Sequence, residues 1–313
     1  MKTELSADAL EFEGHVRNAM SRSGGAEHVV RAQNDPNYRL SLGELLGDLG
    51  IWELAPLDDL LQLEAAALSC YVAGQFALPY PVAERIAGTS DGQQAVVVVD
   101  HTNPRIAHAD LDLEWIALDV SGKGFHVREV RPSVGGKLGQ FVHPVELGAS
   151  SDSQHHSSLV LLLQSWTLLG MLESTQRLTC KHVSERQQFG QPLAEFQGVR
   201  FSIADMSVST QALRELAKYT LWSVFHARNT VVSDTLSLRS ASLEAADFIF
   251  RVGHQLHGAI GFCDESELSW LSRYSQRIRQ LPFGRAATEQ HLIEAIRREG
   301  YYSPIRTLEG RSA

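Results

Sequence analysis

Arg186-Gln187-Gln188-Phe189-Gly190-Gln191-Pro192-Leu193-Ala194-Glu195-Phe196-Gln197 is the stretch that decides how this chain is read. It is a short polar loop between two long segments with helical spacing. Upstream, residues 158–185 carry Leu159, Leu162, Leu163, Trp166, Leu169, Leu172, Leu178 and Val183. Most fall three or four apart, the repeat that lines one helix face. Downstream, residues 196–225 carry Val199, Ile203, Met206, Leu213, Leu216, Tyr219, Leu221 and Phe225 in the same manner. Phe189-Gly190 marks the break, because glycine accepts backbone angles that other residues resist. Pro192 suits a turn or a first helical position. The pattern predicts a helical hairpin ending in a guanidinium, an aromatic ring and an amide. A planar guanidinium grips a phosphate with two hydrogen bonds. On spacing alone, Arg186 serves equally in an ion pair to Glu185 or Glu195, and Phe189 equally as a core plug.

Composition narrows the class. A chain of 313 residues can bury a substantial core. Its formal charge of -9 argues against a nucleic-acid surface. Cys70, Cys180 and Cys263 are far apart, which suits a reduced, cytoplasmic protein better than a disulfide framework. Residues 1–13 are acidic without an apolar core, so no signal peptide is expected. The apolar run Leu159–Leu163 is too short to cross a bilayer and reads as buried helix, with no membrane insertion.

Taken in order, Leu5 to Met20 is amphipathic and helical, and Ser21 to Tyr38 reads as a Gly-bearing loop. Ser41-Leu42-Gly43-Glu44 has capping-box spacing, and a further helix is expected over Leu57 to Phe76. Leu78-Pro79-Tyr80-Pro81 ends it. Ala95–Val99, Trp115–Val120 and Phe125–Val130 are strand-like, with Ser121-Gly122-Lys123-Gly124 as a hairpin loop. Long helices resume near Asp152 and run to about Arg298, with breaks near Gly190, Asn229, Gly261 and Pro282. The expected architecture is mainly α with a small β domain: 1–90 an N-terminal helical domain, 91–150 a reduced middle β domain, and 151–313 a C-terminal helical bundle.

A second segment, Gln255-Leu256-His257-Gly258-Ala259-Ile260-Gly261-Phe262, follows the loop. Arg-x-x-Phe-Gly-x-x-Leu-x-x-Phe-Gln resembles the loop of the C-terminal four-helix-bundle domain in acyl-CoA dehydrogenases. The second segment resembles that family's Gln-x-x-Gly-Gly-x-Gly-Phe, with Ala259 replacing one glycine. The order of helices, strands and helical bundle is similar too. The resemblance implies FAD as cofactor. In that family both segments hold the pyrophosphate and adenosine half of an FAD whose flavin ring lies in the neighbouring subunit. Carried over, the cofactor-binding residues are Arg186, Phe189, Gln197, Gln255 and Gly258.

The chain departs from the family where chemistry is done. The family removes a proton alpha to a thioester while a hydride passes to the flavin, which needs a carboxylate base. At the two positions where members place that base, this chain has Phe283 and Val160. The flavin-ring segments of the β domain are missing as well; Trp115-Ile116-Ala117 is a weak echo of one. This resembles the small, non-catalytic subunits of bacterial α2β2 acyl-CoA dehydrogenases, such as those of steroid catabolism. The resemblance implies a full-length α subunit as partner, holding most of the acyl-CoA, and an electron-transfer flavoprotein or similar acceptor. A self-sufficient enzyme would need a relocated base, for which Asp264, Glu265 and Glu267 are candidates. A non-enzymatic scaffold is a third reading. His254 and His257 are spaced for metal, but no supporting cluster accompanies them. His155-His156 reads as a helix start. Arg273, Arg277, Arg279 and Arg285 suit either CoA or a partner, or a solvated helix face.

Overall fold

Ser6 opens the first helix, α1 (Ala7–Ser23), by accepting from Ala9 N at 3.3 Å while its hydroxyl donates to Glu64 at 2.5 Å. Such a cap satisfies a backbone N–H that has no partner inside the helix. The computed structural model describes residues 4–35, 37–88, 94–133, 135–136, 140–151, 156–226 and 229–299. His155 and the chain beyond residue 299 lie outside them.

Gly24-Gly25 ends α1, but the loop expected to Tyr38 does not follow. A 3-10 turn leads into α2 (His28–Asn34). Tertiary contact overrides composition here, because His28 is buried 2.7 Å from the Tyr38 hydroxyl and 3.1 Å from Met20 O. The next helix, α3 (Tyr38–Asp48), starts ahead of the expected capping box. Ser41 sits inside it and donates its hydroxyl to Tyr38 O at 2.8 Å. Asp59 caps α4 (Leu60–Gln75), which therefore starts later than Leu57. Pro81 precedes the short α5 (Val82–Ile86).

The sheet has five strands: β1 (Gln94–Val98), β2 (Arg105–Ala107), β3 (Glu114–Leu118), β4 (Gly124–Val130) and β5 (Val142–Ser151). Their order is β1-β3-β4-β5-β2, with β1 parallel to β3 and the other pairs antiparallel. The β3–β4 hairpin matches expectation; the Asp119 carboxylate accepts from Lys123 N at 3.0 Å inside it. β2 and β5 are additional. Both contain residues with weak strand preference, such as Arg105, Pro144 and Gly148, so pairing rather than propensity makes them strands. Val96, Val98, Ile116 and Leu118 face the main core, while Ala95, Val97, Trp115 and Ala117 build a smaller one on the other face. That is the two-residue alternation of a sheet covered on both sides.

Among the described residues five helices follow: α6 (Ser157–Glu185), α7 (Gln197–Phe225), α8 (Val231–His257), α9 (Glu267–Gln280) and α10 (Arg285–Glu299). The breaks fall where the sequence places them, and His156 stands at the N-terminal boundary of α6. Every residue from Ser157 to Leu172 is buried, so α6 is the axis on which α4, α7 and α8 pack. Ser165 and Thr167 are satisfied within the helix, donating to the carbonyls of Leu161 and Leu163, while Gln164 donates to Glu84 of α5 at 2.7 Å. Among the described residues no helix is long and apolar enough to cross a membrane.

Candidate functional site

α6 ends where the polar loop begins. Arg186 leaves the helical conformation at ψ 118 while its N–H still donates to His182 O at 2.8 Å. The loop is itself a miniature hairpin: β6 (Gln187–Gln188) pairs with β7 (Gln191–Pro192), and Leu193 N closes it onto Arg186 O. Its two turn residues have positive φ, 55 at Phe189 and 82 at Gly190, as a type I′ two-residue turn requires. Glycine adopts this freely, whereas a side chain costs about 1–2 kcal/mol. Phe189 is 93% exposed, so it plugs no core. Its ring meets Phe196 edge-on, with centroids 6.3 Å apart. Gln197, the first residue of α7, is exposed. So is Arg186, whose side chain makes no ion pair with Glu185 or Glu195 among the described residues.

The second motif arrives at the same end of the bundle. His182, in the last turn of α6, stacks on His257, in the last turn of α8, with centroids 4.3 Å apart and planes 17° apart. His254 stacks on Phe262 in the same way, at 4.3 Å and 15°. Gln255 is exposed on α8, and Gly258 ends that helix at φ 63. A Cβ built on Gly258 meets nothing within 4 Å. Burial pulls His182, His254 and His257 below their ordinary value, so all three are neutral at pH 7. The sequence showed only the three-residue spacing of His254 and His257 on one helix; that His182 of another helix meets His257 is a tertiary fact. Among the described residues no group of three His, Cys, Asp or Glu could hold a metal.

The two base positions lie elsewhere. Val160 is fully buried in α6. Phe283 follows α9 and is buried between Arg239, whose Cζ is 5.5 Å from the ring centre, and His291, whose ring is 4.7 Å away. Arg239, 2% exposed, donates through Nη2 to the carbonyls of Ile278, Leu281 and Phe283 at 3.2, 2.7 and 2.8 Å. Burial alone lowers its pKa to about 10. Phe283 opens on a cleft of about 330 Å³ lined by Asp100, Asp119, Glu294, Arg298 and two histidines. Three carboxylates against one guanidinium disfavour a phosphate-bearing cofactor there. The nucleotide half of FAD fits the end carrying Arg186, Phe189 and Gly258: an exposed cation, an exposed ring and an open glycine backbone. The flavin half does not fit beside Phe283.

The alternative bases and the arginine cluster are accounted for. Asp264 accepts from Arg273 at 2.6 Å, and Glu267 starts α9. α9 has 14 residues, so about 20 Å of helix separates Glu267 from Phe283. Arg279 pairs with Asp247, and Arg285 with Glu289 at 2.8 Å. Arg277 is neither solvated nor free for CoA. It is buried against Tyr274, 3.1 Å from His108 Nε2.

Comparison with known proteins bears on the fold. Residues 162–298 match the family described as acyl-CoA dehydrogenase, C-terminal domain. Acryloyl-CoA reductase (NADH) of Anaerotignum propionicum is 30% identical over 105 residues, which are 34% of this chain and 26% of that protein. The match thus spans about a quarter of that relative's length. Among solved structures, a Tcur3481-Tcur3483 steroid ACAD variant superposes with a TM-score of 0.77 at 16% identity, covering 93% of this chain and 98% of that one. The ChsE4-ChsE5 complex of Mycobacterium tuberculosis gives 0.74 at 16% identity, covering 96% and 100%. Residues 162–298 thus resemble the C-terminal domain of acyl-CoA dehydrogenases, and the chain carries the acyl-CoA dehydrogenase fold.

Proposed function

We propose that this chain is an accessory subunit of a heteromeric acyl-CoA dehydrogenase. Family members are FAD-dependent flavoproteins. The chain lends the pyrophosphate and adenosine half-site, Arg186, Phe189, Gln197, Gln255 and Gly258, to a catalytic partner. The partner supplies the flavin pocket, the acyl-CoA pocket and the base. An α2β2 assembly, a steroid-derived acyl group and an electron-transfer flavoprotein as acceptor belong to the same reading. Support for a partner comes from two neighbours of the same fold, whose descriptions are a paired steroid ACAD and a complex.

One observation carries the proposal: the exposed nucleotide-type residues and the buried base position sit at opposite ends of α9. No carboxylate stands at Val160 or Phe283, so the chain cannot abstract a proton at either place. When bound, FAD would supply the hydride acceptor; this chain's residues would hold its phosphates and present a nucleotide platform. Purified alone, the chain is expected to be nearly flavin-free and to gain stoichiometric FAD only when co-purified with a catalytic subunit. Stoichiometric FAD on the isolated chain, with its ring protected from solvent, would overturn the proposal.

A further inference from the structure

The end of the bundle that carries Arg186 has a charge problem. α6 and α8 both finish there, and the carboxyl end of a helix carries roughly half a negative charge. Glu185 stands beside Arg186 and offsets its charge. A diphosphate brought to this place therefore meets little net positive charge. Two side chains at the same spot can acquire it. His182 and His257 occupy the last turns of the two helices, face to face at 4.3 Å. The Nδ1–H of His257 donates to Gly253 O at 2.8 Å, which leaves Nε2 as its basic nitrogen. Both rings are only partly buried, so a proton reaches them without unfolding.

We propose that the stacked His182–His257 pair is part of the dinucleotide site, taking up one proton when a diphosphate binds beside Arg186 and so supplying positive charge that the site lacks at neutral pH. This rests on reading that end as the nucleotide half-site. The charged groups acting on the pair are Arg186 and Glu185 of α6, both felt by His182, while His257 in turn acts on the neighbouring His254 of α8. The turn after α8 contributes Gly261 and the Phe262 ring, while its Asp264 is engaged by Arg273. Burial first, then His257 and Arg186, hold His182 below 6.5; burial holds His257 below it despite the Gly253 bond. An adjacent diphosphate acts in the opposite direction. Two stacked imidazolium rings repel, so the pair takes one proton rather than two. Affinity then rises as pH falls between the bound and free titration points, and is level outside that window.

The test uses the whole chain with ADP as probe, followed by NMR of backbone amides and imidazole nitrogens from about pH 5.5 to about pH 8. ADP is expected to shift the amides of residues 186–190 and Gly258, to move the titration of the pair upward, and to bind up to about tenfold more tightly per pH unit lost within the window. The double variant His182→Gln, His257→Gln should keep the Arg186 response and lose the pH dependence. If that variant fails to fold, the titration of the wild-type rings with and without ADP decides. ADP that moves the Arg186 loop but binds equally at every pH, with the ring titration unchanged, overturns the inference and leaves the accessory reading standing. ADP that moves neither loop nor rings, both in the isolated chain at saturating ADP and in the flavin-depleted complex with the catalytic subunit, removes the half-site itself.

Discussion

Gly74 of α4 and Gly170 of α6 bring their helices into backbone contact. A Cβ on Gly74 would lie 1.9 Å from Thr167 O, and one on Gly170 would lie 2.0 Å from Tyr71 O. The contact is reciprocal and locks the N-terminal helices to the buried half of α6. Alanine normally favours a helix over glycine by about 1 kcal/mol, but here its methyl meets a carbonyl that is itself held in a helix. Gly170→Ala is expected to lose at least about 2 kcal/mol of stability through overpacking, read as a lowered denaturant midpoint. An unchanged or raised midpoint would mean that the helices stand further apart.

Phe189 holds a positive φ while almost fully exposed. In the isolated chain that conformation has a cost and little return. Phe189→Gly should therefore stabilise the isolated chain by about 0.5–1 kcal/mol, the relief of strain less glycine's added chain entropy. The same change should weaken FAD retention in the assembled complex. A less stable isolated chain would show that the turn is held for internal reasons instead.

Arg186→Ala should leave the midpoint unchanged, because the side chain is exposed. In the complex it should weaken FAD retention by about tenfold to a hundredfold, since a charge-assisted phosphate contact is worth roughly 1.5–3 kcal/mol. Arg186→Lys should recover part of this, lacking the planar fork. Flavin release on dilution measures it, and equal release from the Ala variant and the wild type would remove Arg186 from the site.

Restoring a carboxylate should not restore a base. In Phe283→Glu the new side chain would face the Arg239 guanidinium, and an ion pair holds a carboxyl ionised and poorly basic. Assembled with a partner that lacks its own base, Phe283→Glu should give no flavin bleaching with acyl-CoA in anaerobic single turnover. Bleaching at the wild-type rate would show that only the missing carboxylate separates this chain from a catalyst. With an intact partner, Phe283→Leu should turn over almost normally.

The junction of α3, the sheet and α9 should loosen in acid. His108 is buried with Arg39 Nη1 at 3.3 Å from its Nδ1 and Arg277 Nη1 at 3.1 Å from its Nε2. Burial, then Arg277 and Arg39, hold it well below 6.5. Below 6.5 the unfolded chain binds this proton and the folded chain does not, so stability falls with pH by at most about 1.4 kcal/mol per unit. His143 works the other way: its bond to Asp110 raises it, giving stability that is present below 6.5 and lost as pH rises through the raised value. Asp110, held low by Arg39 and His143 against the effect of burial, adds stability that is lost only as pH falls through the carboxylate range. Below about pH 6.5 the His143 contribution is fully present and level, so the histidines held low, His108 among them, set the slope and stability declines on acidification. His108→Gln, neutral at every pH, should flatten that decline in denaturation midpoints; an unaltered slope would mean that His108 already carries a proton.

The sequence by itself determined the order of helices, strands and helices, the loop from Arg186 to Gln197, and the absence of a carboxylate at Val160 and Phe283. These are facts of residue identity and local period, and they survive folding because a 3.6-residue or two-residue repeat specifies its own element. Tertiary structure decided the rest. His28 became helical because Met20 and Tyr38 enclose it, β5 exists because it pairs with β4, and β2 because it pairs with β5. Phe189 took a positive φ because the two strands of its hairpin demand that turn. His182 met His257, and Arg239 met the carbonyls around Phe283, through contacts between residues far apart in the chain. No local propensity encodes such contacts. They arise only when α6, α8 and α9 pack their apolar faces and bring the remaining polar groups together at the helix ends.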